Sequence, residues 1–167
     1  VTESIAEYIK YGNWLGAPRD ERFFKEPRII VRQIVSGNPP KIFAGYTDKH
    51  LYFTQIGFSI IPKNNITPKY LLCLLNSKLI NFYHKYMFLD IEKELFQKIL
   101  IENCKNLPIV KIDIKNQQPF IAKVDQILAL KQNDAAADTS ILEQEIDQMV
   151  YQLYGLTAEE IAIVENS

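Results

Sequence analysis

Phe58-Ser59-Ile60-Ile61-Pro62-Lys63-Asn64-Asn65-Ile66-Thr67-Pro68-Lys69-Tyr70-Leu71 is the stretch in which the chain changes period. Before it, apolar residues come in short β-branched and aromatic runs separated by turn residues. Arg28-Ile29-Ile30-Val31-Arg32-Gln33-Ile34, Lys41-Ile42-Phe43-Ala44-Gly45-Tyr46, Leu51-Tyr52-Phe53-Thr54 and Phe58-Ser59-Ile60-Ile61-Pro62 read as four strands with short connections, hence a small antiparallel sheet. After it, Thr67 is placed to cap a helix and Pro68 suits a first turn, where no backbone N–H is needed. Tyr70, Leu71, Leu74, Leu75, Leu79, Phe82, Tyr83 and Tyr86 then recur every three or four residues, predicting one helix of about 20 residues.

Working outward, Ile5, Tyr8 and Ile9 share a face at helical spacing, so Val1 to Tyr8 reads as a short helix or the end of one. A Gly- and Pro-punctuated loop from Tyr11 to Pro18 follows, holding the single Trp. Lys93 to Glu102 reads as helical, and Pro108 breaks the pattern. From about Gln117 to Lys131, Phe120, Val124, Ile127 and Leu128 form one stripe; Leu142, Ile146, Met149, Val150 and Leu153 form another. Ser140 and Glu143 have capping-box spacing, as do Thr157 and Glu160, and Gly155 supplies a stop. Two four-turn stripes joined by a short polar loop are the pattern of a helical hairpin. The chain therefore reads as α+β: a small, mainly antiparallel twisted sheet with packed helices, followed by a C-terminal antiparallel helical hairpin. The expected organisation is one α+β unit over 1–108, then a spacer hairpin with a short final helix over 109–167.

The charge distribution divides the chain at nearly the same place. Across 167 residues, 19 Lys+Arg face 20 Asp+Glu, a net of −1. Residues 1–70 carry 10 basic and 6 acidic side chains, residues 71–131 carry 9 and 6, and residues 132–167 carry 8 acidic and no basic ones. A body of +7 thus precedes a tail of −8, as though two surfaces had different jobs. At 47% hydrophobic the chain has enough apolar material for a core. Its apolar runs fall far short of the roughly 20 residues that span a bilayer, and no membrane partner is expected. Cys73 and Cys104, with only His50 and His84, do not make an ordinary zinc site and read as reduced thiols of a cytoplasmic protein. The chain opens on Val1 rather than Met and reads as a piece of a longer one.

Catalytic motifs do not assemble. Asn38-Pro39-Pro40 resembles part of the adenine-binding motif of DNA methyltransferases, but Lys41 stands where a stacking ring is needed and there is no Gly-rich cofactor loop. It reads as a turn. Asp113-Ile114-Lys115 matches the tail of a metal-dependent nuclease motif without its first carboxylate. What does recur in the first half is basic, amide and aromatic chemistry: Arg19, Arg22, Lys25, Arg28, Arg32, Gln33, Asn38, Lys41, Lys49 and His50, interleaved with Tyr46, Tyr52 and Phe53. Arg and Lys neutralise phosphates, Arg reads guanine edges, and Gln and Asn read adenine. A solvated sheet face with ordinary surface charge fits the same residues. Two functions stand on the residues alone: recognition of double-stranded DNA through this set, or a protein-interaction module built on the hairpin.

Five segments, in order, carry a family resemblance. They are Tyr11-Gly12-Asn13-Trp14-Leu15; Phe23-Phe24-Lys25-Glu26-Pro27-Arg28-Ile29-Ile30-Val31-Arg32; Leu74-Leu75-Asn76-Ser77-Lys78-Leu79-Ile80-Asn81-Phe82-Tyr83; Leu107-Pro108-Ile109 with Gln117-Gln118-Pro119-Phe120; and Ile146 to Thr157. Together they resemble the TaqI-like C-terminal specificity domain of fused (type IIG) restriction-modification enzymes. They are also similar to the target-recognition domain and spacer helix of type I specificity subunits. The resemblance implies a non-catalytic DNA-recognition part of a type II restriction enzyme and adenine-specific DNA methyltransferase. Upstream methyltransferase and nuclease domains of the same chain would hold S-adenosylmethionine and Mg²⁺, and this part would hold no cofactor. Arg28 to Arg32 falls where the recognition domain begins. Leu75-Asn76-Ser77-Lys78 falls at the family's small polar break, where Asn76 and Ser77 are expected to serve packing and local hydrogen bonding.

Overall fold

The computed structural model describes residues 10–35, 40–54, 56–90 and 97–167. The expected helix over Val1 to Tyr8 lies outside them, as does most of the turn at Asn38-Pro39-Pro40.

Strand β1 (Arg28–Arg32) is central, with β2 (Ala44–Thr47) and β3 (Gly57–Ile60) antiparallel on either side. Among the described residues the sheet has three strands, not four. Leu51-Tyr52-Phe53-Thr54 stays outside it, because its groups are engaged elsewhere: the Leu51 N–H donates to the Phe24 carbonyl (3.1 Å), and the Tyr52 and Phe53 rings pack on Phe24. Alternation along β1 sends Ile29 and Val31 to one face and Arg28, Ile30 and Arg32 to the other. Directly opposed residues share a face, so Tyr46, Ala44, Ile60 and Phe58 join Ile29 and Val31 on the core side.

Helix α2 (Pro68–Asn76) lies on that core face. Tyr70 to Leu75 are all buried, a run that places the helix in the interior, between β1 and β2 on one side and α3 (Lys78–Phe88) and α5 (Ile114–Asn133) on others. The single 20-residue helix expected here is two helices. Ser77 is extended (φ −66°, ψ 152°) and serves both: its hydroxyl donates to the Leu74 carbonyl (2.7 Å) and accepts from the Ile80 N–H (3.3 Å). The apolar stripe continues across the break, which hides it from a periodicity reading. Residues 91–96 of the next expected helix lie outside the described residues. Within 97–100 the chain is extended, with Lys98 bridged to Ile34, and only α4 (Ile101–Lys105) is helical.

The hairpin is present as α5 and α6 (Ser140–Tyr154), followed by α7 (Ala158–Glu165). Thr157 and Glu160 form the expected capping box, and Gly155 ends α6 at φ 69°, where a side chain would be strained. At the start of α6, Thr139 rather than Ser140 occupies the cap position, and its hydroxyl bonds the Glu143 carboxylate (2.6 Å). One apolar cluster runs from Ile29, Val31 and Phe58 through Tyr70 and Leu74 to Phe120, Val124, Ile146 and Val150, on both sides of Pro108.

Two buried polar side chains lock these layers. The Gln117 amide accepts from the Thr67 N–H and hydroxyl (3.0 and 2.9 Å) and donates to the Asn65 and Ile112 carbonyls (2.6 and 3.0 Å). Asp147 of α6 accepts from the Lys78 N–H at the start of α3 (2.8 Å). Burial outweighs that bond and raises the Asp147 carboxyl from 3.8 to about 6. A carboxyl raised by folding favours the fold while protonated, below the unfolded value, and the benefit is lost as pH climbs through the folded value. Asp147→Asn keeps an acceptor for Lys78 without the charge. In urea titrations its stability relative to the parent is expected to rise by about 1–2 kcal/mol between pH ~4 and ~7, after allowance for solvent screening. A difference independent of pH would show that folding leaves the Asp147 carboxyl unshifted.

Candidate nucleic-acid interface

The sheet face opposite the core is divided in two. At the Arg28 end it is covered by α1 (Arg22–Lys25) and its flanking loops: the Ser59 hydroxyl donates to the Phe23 carbonyl (2.7 Å). At the Arg32 end it is open. There the exposed Phe43 carries the Arg32 guanidinium 5.6 Å from its ring centroid, and Gly45 next along β2 leaves the surface bare.

The covering loops are built on rings. Tyr11 stacks on Tyr52 (centroids 4.8 Å apart, planes 6° apart), both pack on Phe24, and His50 meets Tyr52 edge-on at 4.7 Å. The Tyr11 hydroxyl donates to the Arg19 carbonyl and so closes the loop that presents Trp14, which is 72% exposed. The Trp14 ring folds over Gly12, where a Cβ would lie 2.1 Å from it, so a larger residue there would push the exposed ring aside. Around this cluster stand Arg19, Arg22, Lys25, Lys49 and His50, all exposed. Two of these cations are already engaged. Arg22 pairs with Asp20 (3.5 Å) and lies over the Phe23 ring. Lys25 pairs with Glu21 (2.8 Å), which also accepts from the Tyr52 hydroxyl (3.0 Å). These two bonds hold the Glu21 carboxyl below its ordinary range.

The predicted set thus separates into parts. Arg19, Arg22, Lys25, Lys49, His50 and Tyr52 gather at the aromatic loops. Arg32 occupies the open sheet face, and the half-buried Gln33 follows it in sequence. Lys41 is exposed at the approach to β2, whereas Tyr46 points to the core side, with the Lys69 ammonium 5.1 Å from its ring. Both line a cleft of about 450 Å³ between β2, α2 and the hairpin. Asn38 lies outside the described residues. Arg28 is a correction: its side chain is wholly buried and is spent on backbone carbonyls, donating to Glu26 (2.9 Å), Lys49 (2.9 Å) and Leu51 (3.2 Å). It ties down the loop that carries Lys49, His50 and Tyr52 and, unlike Arg32, offers no exposed surface.

The β2 edge is closed by residues more than 30 positions away, which no local pattern signals. The Asn76 amide donates to the Ala44 carbonyl (3.0 Å) and accepts from the Ala44 N–H (3.3 Å), and Asn81 accepts from the Ile42 N–H (2.6 Å). Two side-chain amides thus do for β2 what a neighbouring strand would. The family's polar break, with Ser77 as cap, is structural, as expected.

No reactive centre stands out beside this surface. Burial raises the Cys73 and Cys104 thiols to about 12 and lowers His84 to about 4, so the thiols stay protonated and His84 neutral near pH 7. Asp113 precedes the first turn of α5. Among the described residues no group of three His, Cys, Asp or Glu side chains is placed to hold a metal, and no helix is long and apolar enough to cross a membrane.

The described residues thus form a small antiparallel sheet packed on helices, with basic and aromatic loops over one end of its other face. The chain belongs to the TaqI-like C-terminal specificity domains, whose family model matches residues 2–109. No curated protein matches it. A specificity domain serves target recognition in restriction-modification and is not itself the catalytic part.

Proposed function

We propose that this chain reads duplex DNA as the C-terminal recognition part of a fused restriction endonuclease and adenine N6-methyltransferase of type IIG, and that it positions an upstream catalytic domain on its target. Membership of the specificity-domain family carries the reading. The open sheet face with Arg32 on Phe43, and the loops with Arg19, Lys49 and His50, are consistent with it. Phosphates would be held by these cations and base edges approached from the loops in the major groove, where the four base pairs differ. S-adenosylmethionine and Mg²⁺ would belong to the upstream domains, in the cytoplasm. Helix α6 with the exposed Ile141, and the exposed Glu159, Glu160 and Ile163 of α7, suit contact with protein rather than phosphate.

Binding of the full-length chain to a mixed-sequence duplex, followed by fluorescence anisotropy, is expected to weaken linearly in log salt, with a slope of about −3.5 to −5.5 if about four to six phosphates are contacted. Binding that does not respond to salt, or no binding to any duplex, would remove the DNA reading in favour of a protein-interaction module.

A further inference from the structure

Three ammonium groups line one small cleft against a single side-chain carboxylate among the described residues. Lys41 comes from the approach to β2. Lys78 and Lys85, seven residues apart and so on one side of α3, come from the other wall. Asn81 and Phe82, with Pro40 on one side and Val164 and Ser167 on the other, line the rest of a space of about 170 Å³. The carboxylate is Glu165 of α7, ion-paired to Lys78. Lys85 lies 5.0 Å over the Tyr86 ring, a contact that leaves its charge in place. Asn81 has its amide committed, accepting from Ile42 and donating to the Leu75 and Ser77 carbonyls (3.2 and 2.8 Å). What the cleft offers a ligand is therefore positive charge beside an aromatic wall.

We propose that this cleft seats a backbone phosphate of duplex DNA, extending the contact surface from Arg32 on the sheet across Lys41 to Lys85 on α3. The inference rests on the DNA-recognition reading above. Lys41 joins the two regions, since it lines this cleft and the larger one along β2, and Phe43, two residues on, carries Arg32. A row of cations matches a row of phosphates better than it matches one small anion. Glu165 competes for Lys78 and restrains the third ammonium until phosphate displaces it. The C-terminal helix thus sets how much charge the surface offers.

The test compares salt slopes of duplex binding for the full-length chain and three variants. Lys85→Gln is expected to reduce the slope of log K against log salt by about 0.9, one phosphate's worth. Glu165→Gln, by releasing Lys78, is expected to tighten binding. Lys131→Gln, at the far end of α5, removes the same charge away from the cleft and is expected to leave the slope unchanged. Salt-dependent binding by the parent chain that Lys85→Gln does not alter, or alters no more than Lys131→Gln, overturns this inference and leaves the DNA reading standing. Absence of duplex binding by the parent overturns both. Saturable, Lys85-dependent uptake of inorganic phosphate alone would mark the cleft as a small-anion site and also overturn the proposal.

Discussion

Alanine in place of Arg28 is expected to cost about 2–4 kcal/mol of unfolding free energy and to loosen the loop that carries Lys49, His50 and Tyr52. The guanidinium is 0% exposed, has no carboxylate partner among the described residues, and leaves its Nε–H without an acceptor. Burial lowers its pKa, the mark of a cation held against its hydration. It stays because three carbonyls need it. Those of Lys49 and Leu51 are two residues apart on the loop, and that of Glu26 belongs to the turn before β1. Alanine strands all three and opens a cavity, and each stranded acceptor costs about 1–3 kcal/mol unless water reaches it. Relief of the buried charge offsets part of the loss. Arg28→Lys keeps the charge on one compact head that cannot span both groups of carbonyls, and is expected to recover less than half. Urea denaturation measures the cost, and hydrogen exchange at the 49–53 amides reads the loop. A change within about 0.5 kcal/mol, with unaltered exchange, would show that the carbonyls find other partners.

The second large effect concerns the open surface. Reversing both Arg32 and Lys41 to glutamate is expected to lower duplex affinity about 100-fold at low salt and to reduce the salt slope by about 2. Both side chains are exposed, and neither has an ion-pair partner among the described residues, so the fold should be little affected. Arg32→Glu also removes a cation stacked on Phe43, so it should cost more than Lys41→Glu. Anisotropy with the single and double variants, each checked by circular dichroism, gives the comparison. Unchanged affinity in the folded double variant would place the DNA contact elsewhere, leaving the aromatic loops as the candidate.

These two predictions separate what local sequence shows from what it conceals. The β-branched run at 28–32, the cap at Thr67, the box at Thr157 and the stop at Gly155 each act through near neighbours, and each was legible. The interruption at Ser77 was not visible in the apolar spacing, because that spacing continues across it. It takes the Ser77 hydroxyl, and Asp147 from 69 positions away, to hold the gap. Arg28 and Arg32 look alike in sequence and share a face of β1, and only the loops folded over one end separate a buried tether from an exposed cation. Lys78 and Lys85 lie in a helix whose pattern speaks of core, and nothing local marks them as part of a basic surface. Their meeting with Lys41 depends on the fold, which brings the approach to β2 beside α3, where Asn81 holds the Ile42 N–H.

The asparagine closure of β2 bears on how such a chain lives among neighbours. With Ala44 held on both its N–H and its carbonyl, and Ile42 on its N–H, the strand has no ladder to offer a passing segment at those positions. Any partner that meets β2 at these positions must do so through side chains, which are changed one at a time, and not through backbone pairing, which forces a register. At these positions the edge is finished by the chain's own asparagines, so it is closed to an added strand without help from any other molecule.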